Sequence, residues 1–255
     1  APRRPRHAGP CTEAMLWSVW VLAYQLPAQR LAIHARAPMA AHVSASMSSQ
    51  AEDLALYERM QAVVTDDTAP LSRELKQGLD VLGQALRLYG EDTLVAAFNG
   101  GKDAVVVLHL LRAALAHHRQ EHASAARMRV IFFQQRDEFP EISAFLGSTA
   151  ERYDLEVVSY EDMGFAEGIA KCIEDHGSRA FVLGTREGDP NAAGQELFEP
   201  SSDWMPPFMR VNPILRWNYA DVWAFLRSFE LPICSLYECG YTSLGKRSDT
   251  QPNPA

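Results

Sequence analysis

A polar loop at residues 99–103 has the residue types that best fit phosphate chemistry. It stands between an apolar run at 94–98 and a helix-like run at 104–115. Its residues are Asn99, Gly100, Gly101, Lys102 and Asp103. Two glycines let a backbone approach an anion closely, the free N–H groups of a helix start point at that anion, and a lysine adds charge. The pattern predicts a phosphate-binding loop, with a tight strand-to-helix connection as the ordinary alternative.

Asp103 strengthens the phosphate interpretation. A carboxylate beside a bound phosphate makes sense mainly where a metal ion lies between the two anions. The loop is not a Walker A sequence, because G-x-x-x-x-G-K-[ST] is absent, and it is not G-x-G-x-x-G. The sequence therefore predicts a nucleotide site of another kind, served by a divalent cation.

Two further polar segments follow apolar runs that are predicted strands. Phe133 and Gln134 end one run, and the other leads into Gly184, Arg186 and Asp189. Ligands of open parallel sheets lie beyond the carboxyl ends of the strands, so the first pair is placed to meet a nucleotide base. The second group adds a cation and another carboxylate. The alternatives are a buried aromatic for Phe133 and a surface loop residue for Arg186.

The elements that position these residues alternate between short apolar runs and helical stretches. That alternation is typical of βαβ units around a parallel sheet. Predicted strands lie at 93–98, 128–133, 155–159 and 180–183, and predicted helices at 103–118, 141–153, 164–176 and 219–229. Residues 50–89 are predicted to form two packing helices, since their leucines recur near a 3.6-residue period. The Pro- and Gly-rich segment 184–213 is predicted to be a long functional loop.

Composition narrows the function classes. The 255 residues are 47% hydrophobic and carry a net charge of −8, so the chain can bury a core and lacks the dense basic face of a nucleic-acid binder. No stable membrane association is expected. The four cysteines include no C-x-x-C pair, which argues against a zinc site or a disulfide framework.

The segment 1–46 differs from the rest of the chain because it is arginine-rich and almost free of acids. It is predicted to be a targeting segment, a disordered tail or mistranslated upstream sequence. Residues 47–255 are predicted to be a single domain. The compartment is correspondingly cytoplasmic, or an organelle such as a mitochondrion or plastid if the segment is a real targeting signal.

Several strings together resemble the eukaryotic FAD synthases (FMN adenylyltransferases), within the PAPS-reductase-like ATP-binding superfamily. The resemblance covers roughly residues 90–253 and rests on strings at 98–103, 184–190, 203–213, 217–223, 234–237 and 240–245. It implies an α/β three-layer sandwich around a mainly parallel sheet, Rossmann-like, with a modified pyrophosphate loop. It also implies the reaction FMN + ATP → FAD + pyrophosphate, with Mg²⁺ as cofactor and ATP and FMN as small-molecule partners.

The resemblance also implies roles for residues. Asn99, Asp103 and Asp189 would be catalytic, the two aspartates acting through Mg²⁺. Residues expected to bind the substrates are Phe98, Gly100, Gly101, Lys102, Phe133, Gln134, Gly184, Arg186, Asp203, Trp204 and Arg210. The last three belong to the flavin side, with a core-capping aromatic as the alternative for Trp204. Three residues of the last helix, Tyr219, Asp221 and Trp223, are expected to pack rather than to react.

Two rival functions stay open at this point. Cys239 stands in a Glu-Cys-Gly context that resembles the nucleophile of PAPS reductases, although the histidine that follows in that motif is absent. An inactive nucleotide-binding paralogue is the other rival. The FAD synthase resemblance further implies a C-terminal segment with flavin-contacting arginines beyond Ala255, so flavin affinity is expected to be low without it.

Overall fold

The computed structural model describes residues 39–253 except 123, 125, 135, 162 and 191, with side chains from residue 49 onward. The predicted targeting segment lies outside these residues, apart from the helical backbone of its last eight. The compact unit considered below begins at Val43. Within the described part, no helix combines the length and apolar character that a bilayer span requires.

Six strands form one sheet with the order β3-β2-β1-β4-β6-β5. Their bounds are β1 Leu94–Ala97, β2 Arg129–Gln134, β3 Glu156–Glu161, β4 Ala180–Val182, β5 Phe198–Pro200 and β6 Met209–Val211. Neighbours pair in parallel except β5 and β6, which are antiparallel. The mainly parallel sheet is confirmed. After β1 the chain builds β2 and β3 on one side and then returns to place β4 on the other, so the order reverses between β1 and β4.

Within the described residues, six α-helices accompany the strands. Their bounds are α1 Met39–Val64, α2 Ser72–Tyr89, α3 Lys102–Glu121, α4 Pro140–Arg152, α5 Phe165–His176 and α6 Tyr219–Ser228. Short 3-10 turns lie at Glu91–Thr93 and Ser235–Tyr237. Each predicted helix is confirmed, with ends shifted by a few residues except at the start of α1, which begins at Met39 rather than near residue 50.

Helices cover both faces of the sheet. Leu94 and Ala96 of β1 belong to the core that contains α2, α3 and α6, whereas Val95 between them belongs to the core that contains Ile169 of α5. Successive side chains of a strand point to opposite faces, so one apolar strand serves both cores. The three-layer α/β architecture is confirmed.

Helix α3 is the central helix of the larger core. It packs against β1, α2 and α6, and residues 104–116 are buried without a break. Because it is enclosed in this way, its first turn is held in a fixed position at the edge of the sheet. That turn carries Lys102 and Asp103.

The prediction of one long loop at 184–213 is wrong in its second half. Residues 198–211 contain the β5–β6 pair, in which Phe198 lies opposite Val211 and Pro200 opposite Met209. Each strand has only three residues, which is too short for an alternating pattern to be visible in the sequence. Pro200 also argued against a strand, but β5 is the edge of the sheet, where proline is tolerated.

Candidate active site

A cleft of about 660 Å³ opens at the carboxyl ends of β1 and β4, where the order of the sheet reverses. Ligands of open α/β sheets bind at such a point. The cleft brings together eight of the predicted residues: Phe98, Asn99, Gly101, Lys102, Asp103, Phe133, Gly184 and Asp189. Residues that the sequence did not single out for the site also line it, among them Thr185, Phe165, Tyr237 and Ser243.

Both glycines contribute to the shape of the loop after β1. Gly100 has a φ of 72°, a conformation that side chains other than glycine rarely adopt. A Cβ on Gly101 would lie 2.9 Å from Asn99 Oδ1. That oxygen accepts a hydrogen bond of 3.0 Å from the Gly101 N–H. Asn99 therefore fixes the shape of the loop just before α3 begins.

Four charged residues form one continuous network, which we call the first-turn cluster: Lys102, Asp103, Arg186 and Asp189. Lys102 Nζ lies 3.0 Å from Asp103 Oδ2, and Arg186 Nε lies 2.8 Å from Asp103 Oδ1. The backbone N–H of Arg186 donates a hydrogen bond of 2.8 Å to Asp189 Oδ2. The loops after β1 and β4 are thus joined by alternating cations and carboxylates.

Asp103 Oδ1 retains hydrogen-bonding capacity. It is buried and forms an ion pair with Arg186 Nε, but within the described residues it accepts no hydrogen bond. A buried carboxylate oxygen in this state is available to a cation or a donor brought by a ligand. The oxygen belongs to a residue that lines the cleft.

Gly184 lets the two loops meet. A Cβ at this position would lie 3.2 Å from the carbonyl carbon of Asp103 and 3.3 Å from the backbone nitrogen of Ala104. Both are backbone atoms that cannot move aside easily. The predicted importance of Gly184 therefore has a packing basis, since it brings the β4 loop against the first turn of α3.

Tyr237 caps the start of α3 from a distant part of the chain. Its hydroxyl oxygen accepts a hydrogen bond of 2.7 Å from the Lys102 N–H, the first N–H of the helix. Burial raises the pKa of Tyr237 well above its ordinary value, while the Lys102 N–H acts in the opposite direction. The phenol is therefore protonated at neutral pH.

Helix α6 carries a short aromatic ladder toward the same point. The Lys102 ammonium lies 5.3 Å from the centre of the Tyr219 ring, Tyr219 meets Trp223 edge-on, and Trp223 meets Tyr237 edge-on. Tyr219, which was expected to pack, is 46% exposed as a residue and lies beside the lysine of the cleft. Asp221 is structural, as expected: it completes the capping box of α6 with Asn218.

Aromatic residues also line the cleft, among them Phe133 and Phe165. The Phe133 ring lies between Tyr160 and Phe165, with centroid distances of 6.4 and 5.3 Å. It rests directly on Gly168 of α5, where a Cβ would lie only 2.3 Å from Phe133 Cε1. Gly168 was missed from sequence, although a glycine inside a helical pattern is a known sign of close packing.

Six predicted residues do not line the cleft, among them Gly100 of the glycine loop and Arg186 of the first-turn cluster. Gln134 is exposed, and so are Asp203 and Trp204, the latter by 74%. Arg210 bonds to the hairpin that carries it, through the Pro200 carbonyl at 2.8 Å and Ser202 Oγ at 3.2 Å.

Cys239 does not line the cleft either. It is exposed and lies beyond the 3-10 turn that ends at Tyr237. A reductase nucleophile would need to reach the bound nucleotide, so this position does not favour that rival. Among the described residues, no group of three or more His, Cys, Asp or Glu side chains is arranged to hold a metal ion by itself.

Comparisons with known proteins agree with this fold. The phosphoadenosine phosphosulfate reductase domain family matches residues 93–171 and 160–252. A probable FAD synthase of Schizosaccharomyces pombe is 35% identical over 188 residues, which is 72% of this chain and 71% of that protein. The chain belongs to the FAD synthase family.

The chain is also similar to a longer relative and to a solved structure. A probable FAD synthase of Caenorhabditis briggsae is also 35% identical, but the match covers 35% of that longer protein. The crystal structure of Candida glabrata FMN adenylyltransferase in complex with FMN and an ATP analogue superposes with a TM-score of 0.73 at 25% identity. That superposition covers 80% of this chain and 75% of that one. The FAD synthase family therefore shares both the sequence and the fold described above.

Proposed function

We propose that this chain transfers AMP from ATP to FMN, giving FAD and pyrophosphate. The observation that carries the proposal is the first-turn cluster, set beside a glycine loop and a helix start at the switch point of an FAD synthase fold. Adenylyl transfer needs these parts because its catalysis consists mainly of positioning and of charge stabilisation.

The chemistry joins two anions. A phosphate oxygen of FMN attacks the α-phosphorus of ATP, a new P–O bond forms, and the bond from the α-phosphorus to the bridging oxygen breaks as pyrophosphate leaves. A phosphate monoester is already ionised near neutral pH, so no general base is required. Lys102 and Arg186 offset the repulsion between the phosphates, and the amides at the start of α3 orient the triphosphate.

Magnesium fits this site as a partner of the substrate phosphates. Mg²⁺ commonly takes one or two protein carboxylates and completes its shell with phosphate oxygens and water. Asp103, whose Oδ1 is buried without a hydrogen bond among the described residues, would hold it together with Asp189. When bound, the ion would supply neutralising charge to the triphosphate.

The two substrates are proposed to occupy different parts of the site. Phe133 lines the cleft and packs against Tyr160 and Phe165, and we assign the adenine to its ring. Asp203 and Trp204, with Arg210 holding their hairpin, are assigned to the flavin side. Trp204 has an exposed indole that suits stacking on an isoalloxazine.

Incubation of the purified chain with ATP, MgCl₂ and FMN tests the proposal directly. We expect time-dependent FAD by chromatography, and none when ATP is omitted or when riboflavin, which has no phosphate, replaces FMN. Absence of FAD from folded protein that binds ATP would contradict the proposal.

The variant Cys239→Ser separates adenylyl transfer from thiol chemistry. We expect full FAD formation, because the transfer uses only the phosphates of the substrates. Loss of activity in the folded variant, or reduction of PAPS by the wild type with a thiol donor, would favour the reductase instead.

A further inference from the structure

Tyr237 reaches the phosphate loop although it is 135 residues away along the chain. Its oxygen accepts from the Lys102 N–H, which is the group that a bound phosphate would otherwise use. The sequence assigns no role to Tyr237. Its side chain lines the cleft, and on its other side it borders a separate apolar groove along α6.

The phenol is held in place by three features. The Lys102 N–H fixes its oxygen at 2.7 Å, Trp223 meets its ring edge-on at 5.4 Å, and the ring is half-buried. A phenolic hydroxyl has one hydrogen to donate in addition to the bond that it accepts. Within the described residues, that hydrogen is not donated to any acceptor. A fixed hydroxyl with a free hydrogen beside a cationic loop is suited to an anionic ligand.

We propose that Tyr237 is a phosphate-binding residue of the ATP site, whose hydroxyl accepts from the Lys102 N–H and donates its own hydrogen to a triphosphate oxygen. The first N–H of α3 thus donates to the phenol, and the phenol in turn donates to the ligand in the cleft. This inference rests on the proposed function, because it places ATP in the cleft. The other residues proposed to bind the phosphates follow β1 and β4. Tyr237 adds a contact from the C-terminal part of the chain.

The substitution Tyr237→Phe removes only the oxygen and leaves the ring against Trp223. A hydrogen bond to a charged group contributes enough free energy that its loss weakens binding by about 10- to 100-fold. We therefore expect the Kd of a non-cleavable ATP analogue, measured by calorimetry, to rise by that factor. The Kd of inorganic pyrophosphate should rise similarly, while the Kd of FMN should stay within about twofold.

Tyr241→Phe is the matched control. Tyr241 lies four residues further on, packs edge-on against Phe139 and does not line the cleft, so its variant should bind ATP as the wild type does. Equal ATP affinity in Tyr237→Phe and wild type would overturn the inference. Tighter ATP binding by Tyr237→Phe would also overturn it, because the hydroxyl would then be a competitor of phosphate for the Lys102 N–H.

A second measurement keeps the hydroxyl of Tyr237 and so does not depend on the stability of Tyr237→Phe. With 3-fluorotyrosine placed at position 237 of the full chain, the fluorine resonance should shift on addition of pyrophosphate and should not shift on addition of FMN. An unchanged resonance at saturating pyrophosphate would overturn the inference. If the wild type itself bound no ATP, the proposed function would fail; normal FAD synthesis with an unaffected Tyr237→Phe variant would remove the inference alone.

Discussion

Helix α3 contributes residues to two charged clusters that differ in what surrounds them. The first-turn cluster borders a cleft of about 660 Å³, whereas the second, halfway along the helix, borders a cavity of only about 40 Å³. In this mid-helix cluster Arg112 pairs with Asp53 of α1, contacts His109 Nδ1 at 2.8 Å and lies 3.4 Å from the Tyr153 ring centre.

Buried charge alone therefore does not mark a ligand site. Burial lowers the pKa of Arg112 and raises that of Asp53, with each charge opposing the shift of the other. The mid-helix cluster nevertheless has no room for a nucleotide, and its pairing fastens α1 to α3. In the first-turn cluster, Lys102, Asp103 and Asp189 line a cleft in which a ligand fits. We expect the first cluster to govern turnover and the second to govern stability.

The largest expected effect is on stability. Arg112→Met leaves the Asp53 carboxylate buried without its partner, which costs about 3–5 kcal/mol of unfolding free energy. Urea denaturation followed by circular dichroism measures it, and Arg87→Met, an exposed arginine of α2, should stay within about 0.5 kcal/mol of wild type. Turnover per folded molecule should be unchanged. A stable Arg112→Met variant without activity would break the distinction between the clusters.

Asp103→Ala should lower turnover and leave stability unchanged, the opposite of Arg112→Met. Turnover should fall by about 100-fold or more, since a carboxylate of an electrostatic site is removed, and Asp189→Ala should behave in the same way. Both variants should keep their circular dichroism spectra. Asp175→Ala, which removes a surface carboxylate paired with Lys171 on α5, is the control. Near-normal FAD formation by folded Asp103→Ala would remove that residue from the site.

A smaller effect is expected at Phe133, one of the aromatic residues that line the cleft. In Gly168→Ala the new methyl group must displace the Phe133 ring, because its Cβ would lie 2.3 Å from Phe133 Cε1. We expect the KM for ATP to rise about tenfold, which is about 1.4 kcal/mol, with little change in the KM for FMN. Gly147→Ala is the matched helical control, since nothing lies within 4 Å of its Cβ. A rise in the KM for FMN alone would contradict the assignment of the adenine to Phe133.

The smallest expected effect is a pH dependence of stability. Burial lowers the pKa of His109 well below its ordinary 6.5, with Arg112 acting in the same direction. Below pH 6.5 the unfolded chain therefore binds a proton that the folded chain does not, and stability is lost as the pH falls. The contribution is at most about 1.4 kcal/mol per pH unit. Denaturation of wild type and His109→Gln between pH 7 and 5.5 measures it, and equal slopes would contradict the assignment.

The sequence was most informative where local pattern and chemistry coincide. The apolar runs predicted β1 to β4, and the glycine loop and Gly184–Asp189 were correctly placed at one edge of the sheet. The fold could be predicted because βαβ units have strong periodic signals and few allowed connections. The β5–β6 pair was missed because three-residue strands carry no such signal.

Contacts between distant segments were the part that the sequence could not provide. Nothing local shows that Arg186 lies against Asp103, that Tyr237 caps α3, or that Gly168 supports Phe133. Each depends on how two elements pack after the sheet has formed. A polar residue in a conspicuous motif without an assigned role, as Tyr237 was, is the kind of signal that could have prompted the question.

The fate of isotopically labelled ATP tests the central claim most directly. With FMN, MgCl₂ and the wild-type chain, label in the α-phosphate should appear in FAD, and label in the γ-phosphate should appear only in pyrophosphate. One FAD should form for each pyrophosphate released. Label from the γ-phosphate in a flavin product, or release of AMP without FAD, would contradict adenylyl transfer to FMN.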